Sequence, residues 1–355
     1  MKQDNTTRIL VTGGAGFIGS ALVRQLISNT DVDVLTFDKL TYAGHTENLE
    51  SAADSDRHQL IVADVADRQA VRGVFESFKP TAVMHLAAES HVDRSIMNPD
   101  DFIRTNVMGT YVFLDEALAY WQSLDSKSMQ GFRFIHVSTD EVFGSLGDEG
   151  TFNEKSQYQP NSPYSASKAG ADHLARAWFS TYRLPVIITN CSNNYGPYQY
   201  PEKLIPVIIN NALSGTPMPI YGAGDQVRDW LHVDDHVGAL MRVLNAGQPG
   251  ETYCIASGEE VDNLHLVHMI CELLDDLVPT SKHVPHKKLI SHVTDRLGHD
   301  KRYAMDWRKI ETSLDWRPSV SLRDGLSETV SWYLGHQDWT KMVLPDAKKT
   351  TQVSA

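Results

Sequence analysis

Short apolar runs alternate with stretches of helical period along the first half of the chain. The runs "RILVTG", "VDVLTFD", "HQLIVADV", "AVMHLAA", "FRFIHVS" and "LPVIITN" are strand-sized and rich in branched residues. Between the first two, "FIGSALVRQLISN" sets Ile18, Leu22 and Leu26 on one helical face. Positions 99–121 and 165–182 also have helical spacing. Apolar strands joined by helices predict a parallel sheet covered on both faces, an α/β doubly wound, Rossmann-type domain. After about residue 190 the grammar changes. "CSNNYGPYQYPEKLIP" and "SGTPMPIYGAGDQVRDW" are rich in Gly, Pro and Asn and predict a smaller lobe of short elements. The expected division is 1–190 for nucleotide binding, rejoined by about 229–256, with 191–340 mainly the second lobe and a polar tail at 341–355. "IPVIINNALSG" predicts a packing helix.

Charge narrows the partners. The formal net charge is −13 over 355 residues, which argues against general binding to nucleic acid or an anionic membrane. An anionic ligand in a local basic pocket stays compatible with it. The three cysteines, Cys191, Cys254 and Cys271, have no paired spacing, so a disulfide framework is not expected and a reducing cytoplasm fits. The first residues lack a signal-peptide core, and no apolar run reaches the roughly 18 residues of a membrane span.

Candidate chemistry begins at "VTGGAGFIG". Gly13, Gly16 and Gly19 lie between the first strand and the first helix, where backbone N–H groups at a helix N-terminus can meet a pyrophosphate. Asp38 ends the second strand, where a carboxylate accepts from both ribose hydroxyls and repels a 2′-phosphate, favouring NAD over NADP. Lys39 follows, and would point the other way if the strand continued. Tyr164 and Lys168 in "SPYSASKAG" sit one turn apart on a helix, where an ammonium would lower the phenol's pKa and make Tyr164 a base near neutral pH. Asp140 and Glu141 stand side by side after "FRFIHVST". Two carboxylates so close resist double ionisation, which suits one acid and one base. His232 and His236 have a metal-like spacing but no third ligand, so no metal is expected.

Taken together, residues 11–194 resemble the extended short-chain dehydrogenase/reductase family. The resemblance rests on the glycine loop, Asp64–Val65, "LAAES" at 86–90, Asn106 and the Tyr164–Lys168 pair. The segments "DKLTYAG", "HLAAESHVDRSI", "STDEV", "NCSNNYGPYQ", "PEKLIP", "RDWLHVDDH" and "GHDKRYAMD" are similar to those of the dTDP-glucose 4,6-dehydratase group within it.

That resemblance implies transient oxidation of the sugar at C4, loss of water across C5 and C6, and return of hydride to C6. Tyr164 would take the C4 hydroxyl proton, Glu141 the C5 proton, Asp140 would protonate the departing C6 hydroxyl, and Thr139 would hydrogen-bond the C4 oxygen. It implies that NAD is held by Gly13, Gly16, Phe17, Ile18, Gly19, Asp38, Lys39, Leu40, Thr41, Asp64, Val65, Leu86, Ala87, Ala88, Ser90, Thr105, Tyr164, Lys168 and Asn194. The nucleotide sugar would meet Ser90, Thr139, Asn193, Lys203, Leu204, Pro219, Tyr221, Arg228, Asn263, Arg296 and His299. Phe143, Leu297, residues 253–257 and His45 depart from the family pattern, and none of them is a proposed catalytic group.

Rival readings are a related epimerase, a dehydratase for a differently based nucleotide sugar, and a non-enzymatic NAD sensor. An epimerase needs no adjacent Asp-Glu pair, and a sensor could dispense with Tyr164 and Lys168. Phe102, Ile103, Val107, Tyr111, Leu114, Leu118 and Trp121, with Leu174, Trp178 and Tyr182, form more apolar surface than one sheet contact needs, which predicts a homodimer face.

Overall fold

A computed structural model describes residues 7–343. Past its first three residues, the polar tail expected at 341–355 lies outside the described residues. All six apolar runs form strands: β1 (Arg8–Thr12), β2 (Asp33–Asp38), β3 (His58–Val62), β4 (Ala82–His85), β5 (Arg133–Thr139) and β6 (Val186–Cys191). The later strands are β7 (Asn193–Tyr195), β8 (Met218–Tyr221), β9 (Val227–His232), β10 (Thr252–Ile255), β11 (Glu260–Asp262) and β12 (Ile290–Val293). The main sheet has seven strands in the order β10-β6-β5-β4-β1-β2-β3, all parallel. The order reverses direction between β1 and β4, the crevice where such sheets bind ligands.

Two apolar layers sandwich this sheet. On one face Leu22 and Leu26 of the helix Phe17–Asn29 pack with Val237 and Leu240 of Val233–Ala246 and with Ile310 and Trp316. On the other, Val71 and Phe75 of Arg68–Phe78 meet Phe113 and Leu114 of Thr110–Ser123 and Ala175 of Pro163–Tyr182. Ser162 caps that last helix reciprocally with Ser165, and Pro163 fills its first position, which fixes where Tyr164 starts.

The second lobe has its own core around Tyr195, Trp230, Ile208, Leu266 and Tyr333. It carries a three-stranded sheet, β11-β9-β7, and a parallel pair, β12-β8. The helix expected over 99–121 runs on to Ser123 and contains a π-helical section, Ile103–Gly109. The wider π-turn sets Asn106 inward: it accepts from Glu89 N (2.9 Å) and donates to Glu89 O (3.0 Å) and Ser167 Oγ (2.8 Å).

Candidate active site

A cavity of about 320 Å3 opens at the C-terminal ends of β1, β2, β4 and β5. The glycine loop forms its floor. Gly13 has φ +68°, and a Cβ there would stand 2.8 Å from Ala87 Cα and N. A Cβ on Gly19 would meet Gly13 O at 2.1 Å, so the helix can start this close to β1 only with glycine there. The helix Phe17–Asn29 has Gly16 as N-cap and no side-chain cap, so its first N–H groups face the cleft.

Thr12 fixes the facing loop. Its Oγ1 accepts from Leu86 N and Ala87 N, both at 3.1 Å, and so donates to His85 Nδ1 at 2.9 Å. His85 then donates from Nε2 to Thr110 Oγ1 at 3.1 Å. Leu86, Ala87, Ala88 and Ser90 are thereby laid along the cavity beside Thr105, Asp64 and Val65.

At the rim, Asp38 accepts from Ala15 N (2.9 Å) and Leu40 N (2.8 Å), and burial pushes its carboxyl up. Lys39 does not point away from the site. β2 ends at Asp38 and Leu40 takes a left-handed backbone (φ +52°), so strand alternation stops. Lys39 lines the cavity with its ammonium 2.9 Å from Asp64 Oδ2. Asp64 also meets Arg104 at 3.4 Å.

The reacting end lies where β5 turns into the 3-10 turn Asp140–Phe143. Thr139 caps that turn, accepting from Glu141 N at 3.3 Å and donating to Asp140 Oδ1 at 3.1 Å. Asp140 is buried, and its Oδ2 has no hydrogen-bond partner. Burial first, then the neighbouring Glu141 charge, hold the Asp140 carboxyl well above the carboxylate range. Glu141 is also raised by burial, but Arg296, Arg228 and Lys203 pull it back. The pair is thus split, with Asp140 the proton holder and Glu141 the group that ionises first.

Tyr164 and Lys168 line the same cavity. The expected lowering of the phenol by Lys168 is not what the structure shows. Tyr164 is pushed well above its usual range, by burial first and then by Glu141, and the Thr139 hydroxyl works against this. Lys168 turns its ammonium to Val137 O at 2.8 Å, which spends one donor on the strand. Burial lowers Lys168 and Asp172 opposes it.

Asn193, Asn194 and Lys203 complete the wall, and Lys203 donates to Ser90 O at 2.8 Å. The remaining sequence candidates do not line this cavity. Leu40 lies in the rim turn and Leu204 opens the helix Leu204–Ser214. Pro219 and Tyr221 are on β8, and Asn263 starts Asn263–Leu277. Arg228 is buried over the Tyr303 ring (4.2 Å) and donates to Asp300 O at 2.9 Å. Arg296 approaches Asp93 Oδ1 at 3.8 Å, and its buried Nε has no hydrogen-bond partner. His299 meets Asp295 at 2.7 Å and the edge of Tyr221. The charges of Arg228 and Arg296 nonetheless reach Glu141.

The metal-like histidines do other work: His232 caps the helix Val233–Ala246, and His236 pairs with Asn194 Oδ1 at 2.8 Å. Sequence reading passed over Glu202 and His91, which face each other at 3.7 Å. Burial pushes Glu202 up to about 7 and His91 down to about 4. Both stand inside the quoted segments "HLAAESHVDRSI" and "PEKLIP", but no spacing rule marked them.

The residues fit a dinucleotide. Gly13 and Gly19 let the loop, Ala87 and the first helix turn pack closer than any side chain would allow, and the uncapped N–H groups of that turn face the cavity. Comparison with known proteins agrees. The profile of the GDP-mannose 4,6 dehydratase family matches residues 10–329. The chain is 53% identical over 345 residues to dTDP-glucose 4,6-dehydratase 1 of Escherichia coli K12, covering 95% of each. It is 53% identical over 340 residues to the dTDP-glucose 4,6-dehydratase of Neisseria gonorrhoeae, covering 95% of this chain and 98% of that one. Among solved structures, the dTDP-glucose 4,6-dehydratase DesIV of Streptomyces venezuelae with NAD bound superposes with TM-score 0.86 at 43% identity, over 95% of this chain and 100% of that one. A UDP-glucose 4-epimerase of Thermotoga maritima gives 0.81 at 28% identity, over 93% and 100%. A sheet of this order, a glycine-built cleft and a split carboxyl pair beside Tyr164 and Lys168 are thus joined by identity over nearly the whole chain: it belongs to the GDP-mannose 4,6-dehydratase family, among the dTDP-glucose 4,6-dehydratases.

Proposed function

We propose that the chain converts dTDP-glucose to the 4-keto-6-deoxy sugar nucleotide with loss of one water. The observation that carries this is the split pair Asp140–Glu141 in one cavity with Tyr164. The Gly13–Gly19 loop would hold the NAD pyrophosphate, Asp38 a ribose, and Lys168 the nicotinamide ribose. When bound, NAD supplies a hydride acceptor at C4 and a hydride source for C6.

The chain's own groups handle the protons. Tyr164 takes the C4 hydroxyl proton, and its raised pKa demands help from the charged Lys168 and the Thr139 hydroxyl. Thr139 holds the C4 oxygen. The ketone acidifies the C5 proton, and Glu141 removes it. Asp140, neutral in its buried position, gives its proton to the departing C6 hydroxyl, so water leaves with Asp140 ionised and Glu141 protonated, and the proton Tyr164 took from the C4 hydroxyl restores Asp140 through solvent. Return of a proton to C5 resets Glu141. Arg228 and Arg296 neutralise the sugar nucleotide's diphosphate.

In this reading 1–190 with about 229–256 binds the cofactor and 191–340 mainly the sugar nucleotide. Of the apolar residues expected at a homodimer face, Phe102, Leu114 and Leu118 are buried within the chain, and the face we propose is made instead by the exposed Ile103, Met108 and Tyr182 next to the Tyr111–Trp178 ring pair at 5.8 Å. We place the enzyme in the cytoplasm, where its buried free cysteines stay reduced.

The test is mass spectrometry of dTDP-glucose incubated with the purified protein and no added cofactor. Loss of one water, slowed in Asp140→Asn and Glu141→Gln, supports the reading. An unchanged mass with a new sugar isomer replaces it with an epimerase.

A further inference from the structure

One turn beyond Lys168 lies a buried carboxylate with no part in the reaction above. Asp172 is 2% exposed. It accepts from His136 Nε2 (2.9 Å), Ser138 Oγ (2.8 Å), Tyr158 Oη (2.9 Å) and Asn190 Nδ2 (3.3 Å). Those donors come from β5, β6 and the segment before the helix, so a single carboxylate ties the helix Pro163–Tyr182 to both strands. Asn190 also donates to Thr139 O at 3.0 Å, and Lys168 donates to Val137 O at 2.8 Å. Residues 137–139, which lead directly into the acid and base at 140 and 141, are thus held from behind by Asp172 and Lys168 together.

We propose that Asp172 is a positioning residue that keeps Lys168 charged and fixes the end of β5 against Tyr164. The inference rests on the reading of Tyr164 and Lys168 given above. Lys168 is buried, and a buried ammonium stays protonated only with an anion near it. The groups facing it are Asp172 and Tyr164 from its own helix, His85 from β4, His136 from β5 and Cys191 from β6. Burial holds both imidazoles down in their neutral form and raises Cys191 to about 12 and Tyr164 well above its range. None of these four supplies a negative charge at neutral pH, and Glu141, which shares the cavity, bears on Tyr164, so Asp172 is the carboxylate that supports the charge on Lys168. His136 confirms the bonding pattern: with Nε2–H given to Asp172, its Nδ1 is the buried atom without a partner.

The experiment compares the pH profile of kcat for the holoenzyme and for Asp172→Asn. Asparagine keeps the shape, and Ser138 and Tyr158 hydroxyls can reverse to accept from it. Removing the anion lowers the pKa of Lys168, so the high-pH limb moves down by about one to two units. Asp172→Glu brings it back. A slower enzyme whose high-pH limb stays in place would make Asp172 a packing residue only and overturn the proposal.

Coupling is reciprocal, so a second variant bypasses any folding failure of the first. Lys168→Met raises the pH at which the Asp172 carboxyl takes up a proton, read from its infrared carbonyl band, with Asp172→Glu used for assignment. An unmoved band overturns the proposal. That readout needs no turnover, so a wild-type protein inert toward dTDP-glucose would sink the reaction reading and leave the Asp172–Lys168 coupling separately decided.

Discussion

Asp140→Asn tests the division of labour between the two carboxyls. If Asp140 were ionised beside Glu141, their repulsion at an effective dielectric near 20 would be about 4 kcal/mol for charges ~4 Å apart, roughly three pH units on Glu141. The structure says otherwise. Burial and then the Glu141 charge push Asp140 up, while Arg296, Arg228 and Lys203 pull Glu141 back down, which favours the proton on Asp140 and the charge on Glu141. Asparagine therefore replaces one neutral group with another. Water loss should slow by about 10² to 10⁴, the usual worth of a positioned general acid, or roughly 3 to 5 kcal/mol of barrier. The C5 proton should still exchange, because Glu141 performs that step. The assay is NMR of the 4-keto-6-deoxy product in D2O, followed from pH 4 to 9. The low-pH limb of exchange, set by Glu141, should lie within about half a unit of wild type. A fall of more than about one unit would mean that Asp140 carries a charge, and the acid–base assignment would be wrong. Glu141→Gln should abolish exchange and dehydration alike.

Other outcomes follow from single contacts. Gly13→Ala puts a methyl 2.8 Å from the Ala87 backbone at φ +68°, so purified protein should lose most of its bound NAD, measured after acid release, and about 1–3 kcal/mol of stability in urea; full NAD content would refute the close-approach argument. Arg296→Ala leaves the diphosphate without one guanidinium and should raise KM for the nucleotide sugar by about 10-fold or more with a smaller change in kcat; an unchanged KM would remove Arg296 from the binding set. Hydrogen bonds from Arg72, then from Arg68, hold the Glu116 carboxyl below its usual range. A depressed folded pKa gives stability that is present above the unfolded value near 4.3 and fades as pH falls through the folded value. The melting temperature of wild type should therefore fall faster below about pH 4.5 than that of Glu116→Gln. The margin is only about 1 kcal/mol, since Arg72 is mostly exposed and Arg68 half-buried, and parallel melting curves would refute it.

Most of the framework was legible because parallel strands buried on both faces read as plain apolar runs, and all six runs became strands. The glycine loop was legible for a different reason: close approach leaves no alternative residue at Gly13 and Gly19. What the sequence concealed depends on through-space charge and on where a strand stops. Lys39 turned into the cleft because Leu40 takes a positive φ that no hydrophobic pattern encodes. Tyr164 came out raised because it is buried and then faces Glu141 from the turn after β5, far away in sequence, while Lys168, its neighbour on the helix, spends one donor on Val137.

Asp172 shows why such groups escape a reading of spacing alone. By position it is one more polar residue one turn after Lys168, and on an isolated helix it would read as an exposed partner of that lysine. Its role is set instead by three donors on two strands and one on the preceding loop, which meet only after the sheet has formed. A buried carboxylate with that many donors costs too much desolvation to persist as a passive filler unless the donors offset it, and here they do so while bracing the strand that leads into the acid and base. The motif residues say which chemistry is available. The unremarked buried anion behind them governs whether Lys168 holds the charge that Tyr164 needs in order to begin it.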